Sequence, residues 1–273
     1  MIRRLLVMAA LIFGSVIFAM PFIWTVCTAL KTNKEIARDP NRLLPAHPTL
    51  VNFVEFWKVL PFFNYVVNTL FITLIVTLAT VMSSSLVAYG FARFKFKGRN
   101  LLFGVLLATM MLPSQVTLLP VFLIWRSLHA IDTFVPLTVP SLFGGGAFFI
   151  FMLRQFFMQI PRELDEAMLL DGSSYFGIWR NLILPLSRPA LIVVILFTFI
   201  GAWDSFEGPL IYLSSPENYT LAIGLRLFQD DFGVDHGQLM AATLVHIVPM
   251  ILLFLVAQRF FVKGIALSGL GGR

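Results

Sequence analysis

The chain has 273 residues, 58% of them hydrophobic and only 12% charged, with a net charge of +6 and a mean hydropathy of +0.87. So little charge cannot cover the surface of a soluble domain of this length, which excludes an ordinary water-soluble enzyme and leaves lipid as the main solvent. The basic residues are scattered through short connections without a groove or a recognisable binding module, so nucleic acid is set aside as a partner.

Crossing a hydrocarbon core about 30 Å thick takes about twenty apolar residues. Six such runs are expected, at 5–30, 65–90, 101–125, 134–153, 189–213 and 239–258, which predicts an all-α polytopic membrane protein. The first run exceeds the roughly 7 to 15 apolar residues of a signal peptide and is read as a retained span. Its lone Cys27 has no partner for an internal disulfide, and Val26 before it is too large for a lipidation site, so it reads as a small buried apolar side chain.

Between the first two runs, Pro40, Pro45, Pro48 and Pro61 punctuate a polar stretch read as an extracytoplasmic excursion, with one short helix at 51–59. The expected organisation is therefore 1–64, first span and outer loop, followed by 65–273, a five-helix core. The second run carries Thr77, Ala79, Thr80, Ser83, Ser84, Ser85 and Ala88, which allow close helix approach and place it inside the bundle. In the third, Pro113 and Pro120 flank Gln115 and Thr117 and free carbonyls that need partners in protein or water; a kink lining an aqueous cavity and a plain bundle kink are both open. Gly144, Gly145 and Gly146 lack the lysine and the strand context of a phosphate loop, and read as close packing or a local break.

The connection from Arg162 to Pro189 predicts a helix, a turn and a second helix. Pro161 suits a first helical turn; Leu164, Ala167 and Met168 share a face; Asp171 and Gly172 stop the helix; Ser173 or Ser174 caps the next. Phe176, Trp179, Leu182 and Ile183 stripe that second helix, and Pro185 and Pro189 close it off. In the fifth run Trp203, Asp204, Phe206 and Glu207 put costly acids beside aromatics; spaced three apart, Asp204 and Glu207 are expected on one helix face. Together with Gln115 they are candidates for a pathway wall that holds a polyol, the alternative being an interfacial anchor at the span end. His47, His129, His236 and His246 lack metal-ligand spacing, and no catalytic constellation is present.

Orientation follows from basic residues near short connections. Arg3 and Arg4, Arg93 to Arg99, Arg154, Arg162, Arg180, Arg188, Arg259, Lys263 and Arg273 fall on one face of a six-span protein. Lys31, Lys34, Arg38, Arg42, Lys58, Arg126 and Arg226 fall on the other, diluted by Glu35, Asp39, Glu55, Asp132 and the acidic group Asp230, Asp231 and Asp235. Both termini and the 160–188 loop are expected in the cytoplasm.

Glu166 and Ala167, Asp171 and Gly172, and Leu184 and Pro185 stand at the spacing of the EAA loop, and the chain resembles permease subunits of binding-protein-dependent ABC importers of the maltose and glycerol-3-phosphate kind. Supporting stretches run from Ala88 to Arg99, Met110 to Val116, Phe199 to Leu213 and Gln238 to Gly264; Met168 and Ser173 replace alanines of the pattern, and Trp179 a phenylalanine. The resemblance implies the fold of a type I importer permease in the inner membrane of a bacterium or archaeon. It also implies a sugar or polyol substrate, a second homologous permease, an extracytoplasmic solute-binding protein, and a separate ATPase dimer that holds ATP and Mg; this chain binds no cofactor. Glu166, Ala167, Asp171, Gly172, Trp179, Leu184 and Pro185 become the ATPase-coupling residues. Two other readings remain: a proton-coupled secondary transporter using Asp204, Glu207 and His246, for which the 160–188 loop has no purpose, and a membrane enzyme, for which no nucleophile and base are spaced together.

Overall fold

Residues 2–230 and 235–268 are described by the structure, a computed structural model, and side chains are described for 3–228 and 235–258. The side chains of Asp230, Arg259 and Lys263, and residues Asp231 and Arg273, lie outside that description. Every regular element described is helical. In chain order these are α1 (Ile2–Ala29), α2 (Asn33–Arg38), α3 (Val51–Val59), α4 (Phe62–Arg93), α5 (Arg99–Thr109), α6 (Ser114–Ser127), α7 (Val135–Thr138) and α8 (Ala147–Met158). There follow α9 (Glu163–Leu170), α10 (Tyr175–Ile178), a π turn (Trp179–Ile183), α11 (Leu184–Leu186), α12 (Arg188–Trp203), α13 (Glu207–Tyr212), α14 (Leu221–Asp230) and α15 (His236–Ser268).

Four stretches are long and apolar enough to cross a bilayer unaided: Arg3–Ala29, Phe62–Arg93, Val135–Met158 and His236–Gln258. Two further pairs qualify only as broken spans, giving six in all if each crosses once. The expected third span is α5 and α6, bent by 99° at Met110 to Pro113, where Pro113 caps α6 and cannot continue the α5 ladder. The expected fifth span is shorter than its apolar run. It ends at Trp203, because Pro209 has no N–H for residue 205 and its ring would strike that carbonyl; α13 restarts at Glu207 and takes the proline in its first turn.

The chain divides into two compact units, Met1–Tyr65 with Leu221–Ile251 and Val66–Thr220 with Leu252–Arg273. In the first, Phe56, Phe62, Tyr65 and Phe228 form an aromatic cluster, with Phe62 edge-on to Phe56 at 5.3 Å. Gly224 belongs there, since a Cβ at that position would stand 2.4 Å from the Tyr65 ring. Asn52, buried at the start of α3, donates from Nδ2 to the carbonyls of Ala29 and Lys31 at 2.7 Å, which ties the expected 51–59 helix to the end of α1. The apolar side chains of α1, from Leu5 to Trp24, are exposed along its length, as a lipid-facing span requires.

In the second unit the core is Ala88, Tyr89 and Ala92 of α4, Ile150, Leu153 and Phe157 of α8, Ile178, Trp179 and Ile183, and Ala190 and Val194 of α12. Small residues on α4 let the larger side chains of its neighbours close in, as the second run anticipates. The three glycines at 144–146 all have positive φ and break the fourth span; a Cβ on Gly145 would fall 2.3 Å from the Thr80 side chain. They are a local break with close backbone approach.

Candidate functional site

The 160–188 connection is a helix, a turn and a longer helical run, and its turn is fixed by backbone bonds. The Gly172 N–H donates to the Leu169 carbonyl at 3.0 Å and the Ser173 N–H to Met168 at 2.9 Å, a Schellman closure that places Gly172 at φ +83°. Ser174 caps the next helix, its Oγ accepting from the Gly177 N–H at 3.1 Å. Pro161 does not open the first helix; Arg162 is its cap, and the carbonyl of Arg162 accepts from the N–H groups of Asp165 and Glu166. Pro185 does not end the second: the π turn just before it loosens the ladder that a proline would otherwise break, and the run continues to Leu186 before an 82° corner into α12.

The expected faces are rearranged. Leu164 and Ala167 are exposed and Leu170 is 90% exposed, while Met168 turns inward on the core together with Asp165, three residues before it. In the second helix Phe176 is exposed, and Ile178, Trp179 and Ile183 are buried. Trp179, expected at a partner surface, is rooted in this chain's own core against Phe176 at 5.1 Å. Glu166, Ala167, Asp171, Gly172 and Pro185 are exposed and Leu184 is half-buried.

The C-terminal end of α4 clamps this element. Arg93 donates from both terminal nitrogens to the Ile160 carbonyl at 3.1 Å and pairs with Asp165 at 2.8 Å, with the arginine side chain 5% exposed. Arg162 donates to the Ala92 carbonyl at 3.3 Å, and the Tyr89 hydroxyl donates to the Tyr175 carbonyl at 3.1 Å. Burial pushes the Asp165 carboxyl above its ordinary range even though Arg93 and Arg162 pull it down. The pair is therefore held for geometry more than for net stability. Arg93, Asp165 and Tyr89 were not singled out as site residues from sequence, although an acid midway along a short loop helix and an arginine ending a span are a signal for such a clamp. Beside it a pocket of about 350 Å³ is lined by Lys95, Arg162 and Glu166 among others.

The acids of the fifth run do not share a helix face. Asp204 is the C-cap of α12 and Glu207 the first residue of α13, so the break described above separates them. Trp203 is buried and stacks on Phe199 at 5.7 Å; Phe206 and Asp204 are exposed. Glu207 lines a pocket of about 210 Å³ with Ser114 and Thr117 of α6, and the exposed Gln115 lies next to Ser114 without lining it. A cavity of about 540 Å³ includes none of the five pathway candidates. Its walls include one stripe of α4 (Thr69, Ile72, Val76, Thr80), Ser141 and the glycine break, Phe197, Thr198, Gly201 and Ala202 of α12, and Ser205 and Thr220.

Outside these sites, Asp132 at φ +62° accepts from the N–H groups of Ser214 and Ser215, both at 2.9 Å, and from the Ser215 hydroxyl. These bonds hold its carboxyl well below the usual carboxylate range. Among the described residues no cluster fit to hold a metal ion is present. His246 is buried within α15.

A helical bundle of broken and unbroken spans, with a polar-clamped element between two of them, defines a multi-span membrane protein. Residues 81–266 match the family described as binding-protein-dependent transport system inner membrane component, and the chain belongs to that family. It is 31% identical to the arabinooligosaccharides transport system permease protein AraQ of Bacillus subtilis, over 94% of this chain and 92% of that one. It is 32% identical to the trehalose/maltose transport system permease protein MalG of Thermococcus litoralis, over 99% and 98%. The fold is similar to that in a crystal structure of a bacterial ABC transporter involved in import of the acidic polysaccharide alginate, with a TM-score of 0.85, 21% identity and coverage of 95% and 97%. The chain is thus the membrane permease component of an ABC transport system, and ATP hydrolysis belongs to separate ATPase subunits. The proton-coupled alternative finds no support.

Proposed function

We propose that this permease carries sugars or related polyols inward by alternating access, and that the 160–188 element is the lever through which an ATPase dimer moves it. The observation that carries the reading is the clamp: Arg93, Tyr89 and Asp165 fasten both helices of the element to α4, so a displacement of the exposed Glu166, Ala167, Asp171 and Gly172 surface reaches the spans without being absorbed by a slack loop. Trp179, Leu184 and Pro185 form the root of the lever, and the protruding Leu170 is an apolar contact for the ATPase. ATP and Mg are held by that dimer.

Carbohydrate as substrate class is supported by the relatives named for arabinooligosaccharides, for trehalose and maltose, and for sn-glycerol-3-phosphate. A solute-binding protein outside and a second, homologous permease complete the assembly. Arginine and lysine at Arg3, Arg4 and Arg93 to Arg99 support cytoplasmic termini and a cytoplasmic lever in an inner membrane, with 1–64 as first span and outer loop and 65–273 as the translocating core. Trp203, Asp204, Phe206, Glu207 and Gln115 belong to the pathway on this reading, Glu207 through its pocket with α6.

Reconstitution of the permease pair and binding protein with and without the ATPase dimer tests it. Sugar uptake is expected only with the dimer and ATP; uptake that persists in their absence overturns the reading.

A further inference from the structure

The cavity of about 540 Å³ in the second unit falls within the range of small-molecule sites, about 300–1,000 Å³. Six hydroxyl side chains line it, Thr69, Thr80, Ser141, Thr198, Ser205 and Thr220, with Phe149 and Phe197, and no charged side chain among its lining residues. The hydroxyls of Thr198 and Thr220, in residues 6% and 3% exposed, have no hydrogen-bond partner. A helical threonine ordinarily returns its hydroxyl to a carbonyl of the preceding turn. Here that of Thr198 does not. Glycine at 145 and 201 keeps the walls thin; a Cβ on Gly201 would meet nothing within 4 Å, so the space beside it is open. By its place on α4, Thr80 stands 13 residues from Arg93, about 20 Å along the helix and just on the clamp side of its middle, while Thr69 and Ile72 lie in the half remote from the clamp.

We propose that this cavity is a saccharide subsite belonging to this chain, built for a neutral sugar ring and closed to anionic ones. The proposal rests on the carbohydrate reading above. Sugar hydroxyls both donate and accept, so they satisfy the orphaned threonines, while the phenylalanine faces cover the apolar C–H face of a ring. A phosphate or uronate would enter a low-dielectric cavity with no cation to meet it, and its desolvation would go uncompensated. The acids Asp204 and Glu207, absent from the lining, neither help nor hinder a neutral ring there.

The test uses the full assembly, both permeases with the ATPase dimer and binding protein, in proteoliposomes. Four labelled probes are offered: trehalose, maltotriose, glycerol 3-phosphate and a glucuronate disaccharide. ATP-driven uptake of a neutral probe and of neither anion is expected. Gly201→Leu, which fills the open space, is expected to cut that uptake at least about tenfold in assemblies that still co-purify with the ATPase. Thr198→Val, which keeps shape and removes the hydroxyl, is expected to raise KM about three- to tenfold, and it decides the matter where the leucine variant fails to assemble. Neutral uptake at the unmodified KM in Thr198→Val overturns the subsite and leaves the carbohydrate reading standing. Uptake confined to the anions overturns the subsite as well. No ATP-driven uptake of any probe overturns the carbohydrate reading, and the subsite with it.

Discussion

The lever and the cavity are held together by opposite means. At the lever, charged and polar groups tie α4 to α9 and α10, with Arg93 reaching Ile160 and Asp165 at once and Tyr89 reaching Tyr175. Around the cavity the same α4 offers threonines and faces glycines, and nothing charged fixes one wall to another. Directional bonds resist shear, whereas small side chains permit close approach and sliding. The difference teaches where a transporter of this kind is stiff and where it is free to open.

The comparison breaks most severely at the clamp. Asp165→Ala leaves the Arg93 guanidinium buried without its carboxylate, and a loss of about 3 to 5 kcal/mol is expected, read as failed assembly or loss of ATP-driven uptake. Replacing both partners together, Arg93→Met with Asp165→Leu, sharpens the point. Because burial already holds the Asp165 carboxyl above its ordinary range, the folded pair loses stability as pH rises through that raised value. The double variant is therefore expected to unfold at nearly the unmodified temperature, yet to hydrolyse ATP without moving solute. A double variant that transports normally would show that the clamp is only structural.

Next in size is Gly172→Val. A β-branched residue at φ +83° is strained by about 1 to 3 kcal/mol although space is open around it, so insertion should proceed and ATPase capture should weaken, measured by co-purification. Tyr89→Phe removes one bond to the Tyr175 carbonyl, about 1 kcal/mol, and should lower the uptake obtained per ATP hydrolysed while leaving the neutral-probe KM unmoved. The smallest effect belongs to Asp132→Asn, which lines neither the cavity nor the pocket beside the clamp. A carboxyl depressed in the folded state contributes stability above its unfolded value near 4, and that contribution disappears as pH falls through the folded one. The variant should therefore lower Tm slightly at pH 7 and converge on the unmodified protein in strong acid, with transport unchanged.

The parts of the fold legible in the sequence were those set by local chemistry. The Asp171 and Gly172 stop, the serine cap, the 51–59 helix and the apolar runs all follow from spacing and residue type. What escaped depended on partners distant in sequence. Leu164, Ala167 and Met168 are spaced for one face, but the core contacts of α4 and α8 selected Met168 and Asp165 instead. Asp204 and Glu207 share a face only on a continuous helix, and the missing N–H of Pro209 favours the alternative in which the span ends first. The cavity is not legible in the sequence because its threonines and glycines come from four separate segments, none unusual alone.

Helix α4 runs unbroken from Phe62 to Arg93 and bears the clamp at one end and the cavity stripe further along. It is a push-rod without a joint. A tilt of about 10° pivoting at Arg93 swings Thr80, about 20 Å away, by about 3.5 Å, comparable to the width of a water molecule. Motion at the clamp then reaches the cavity wall without a relay of its own.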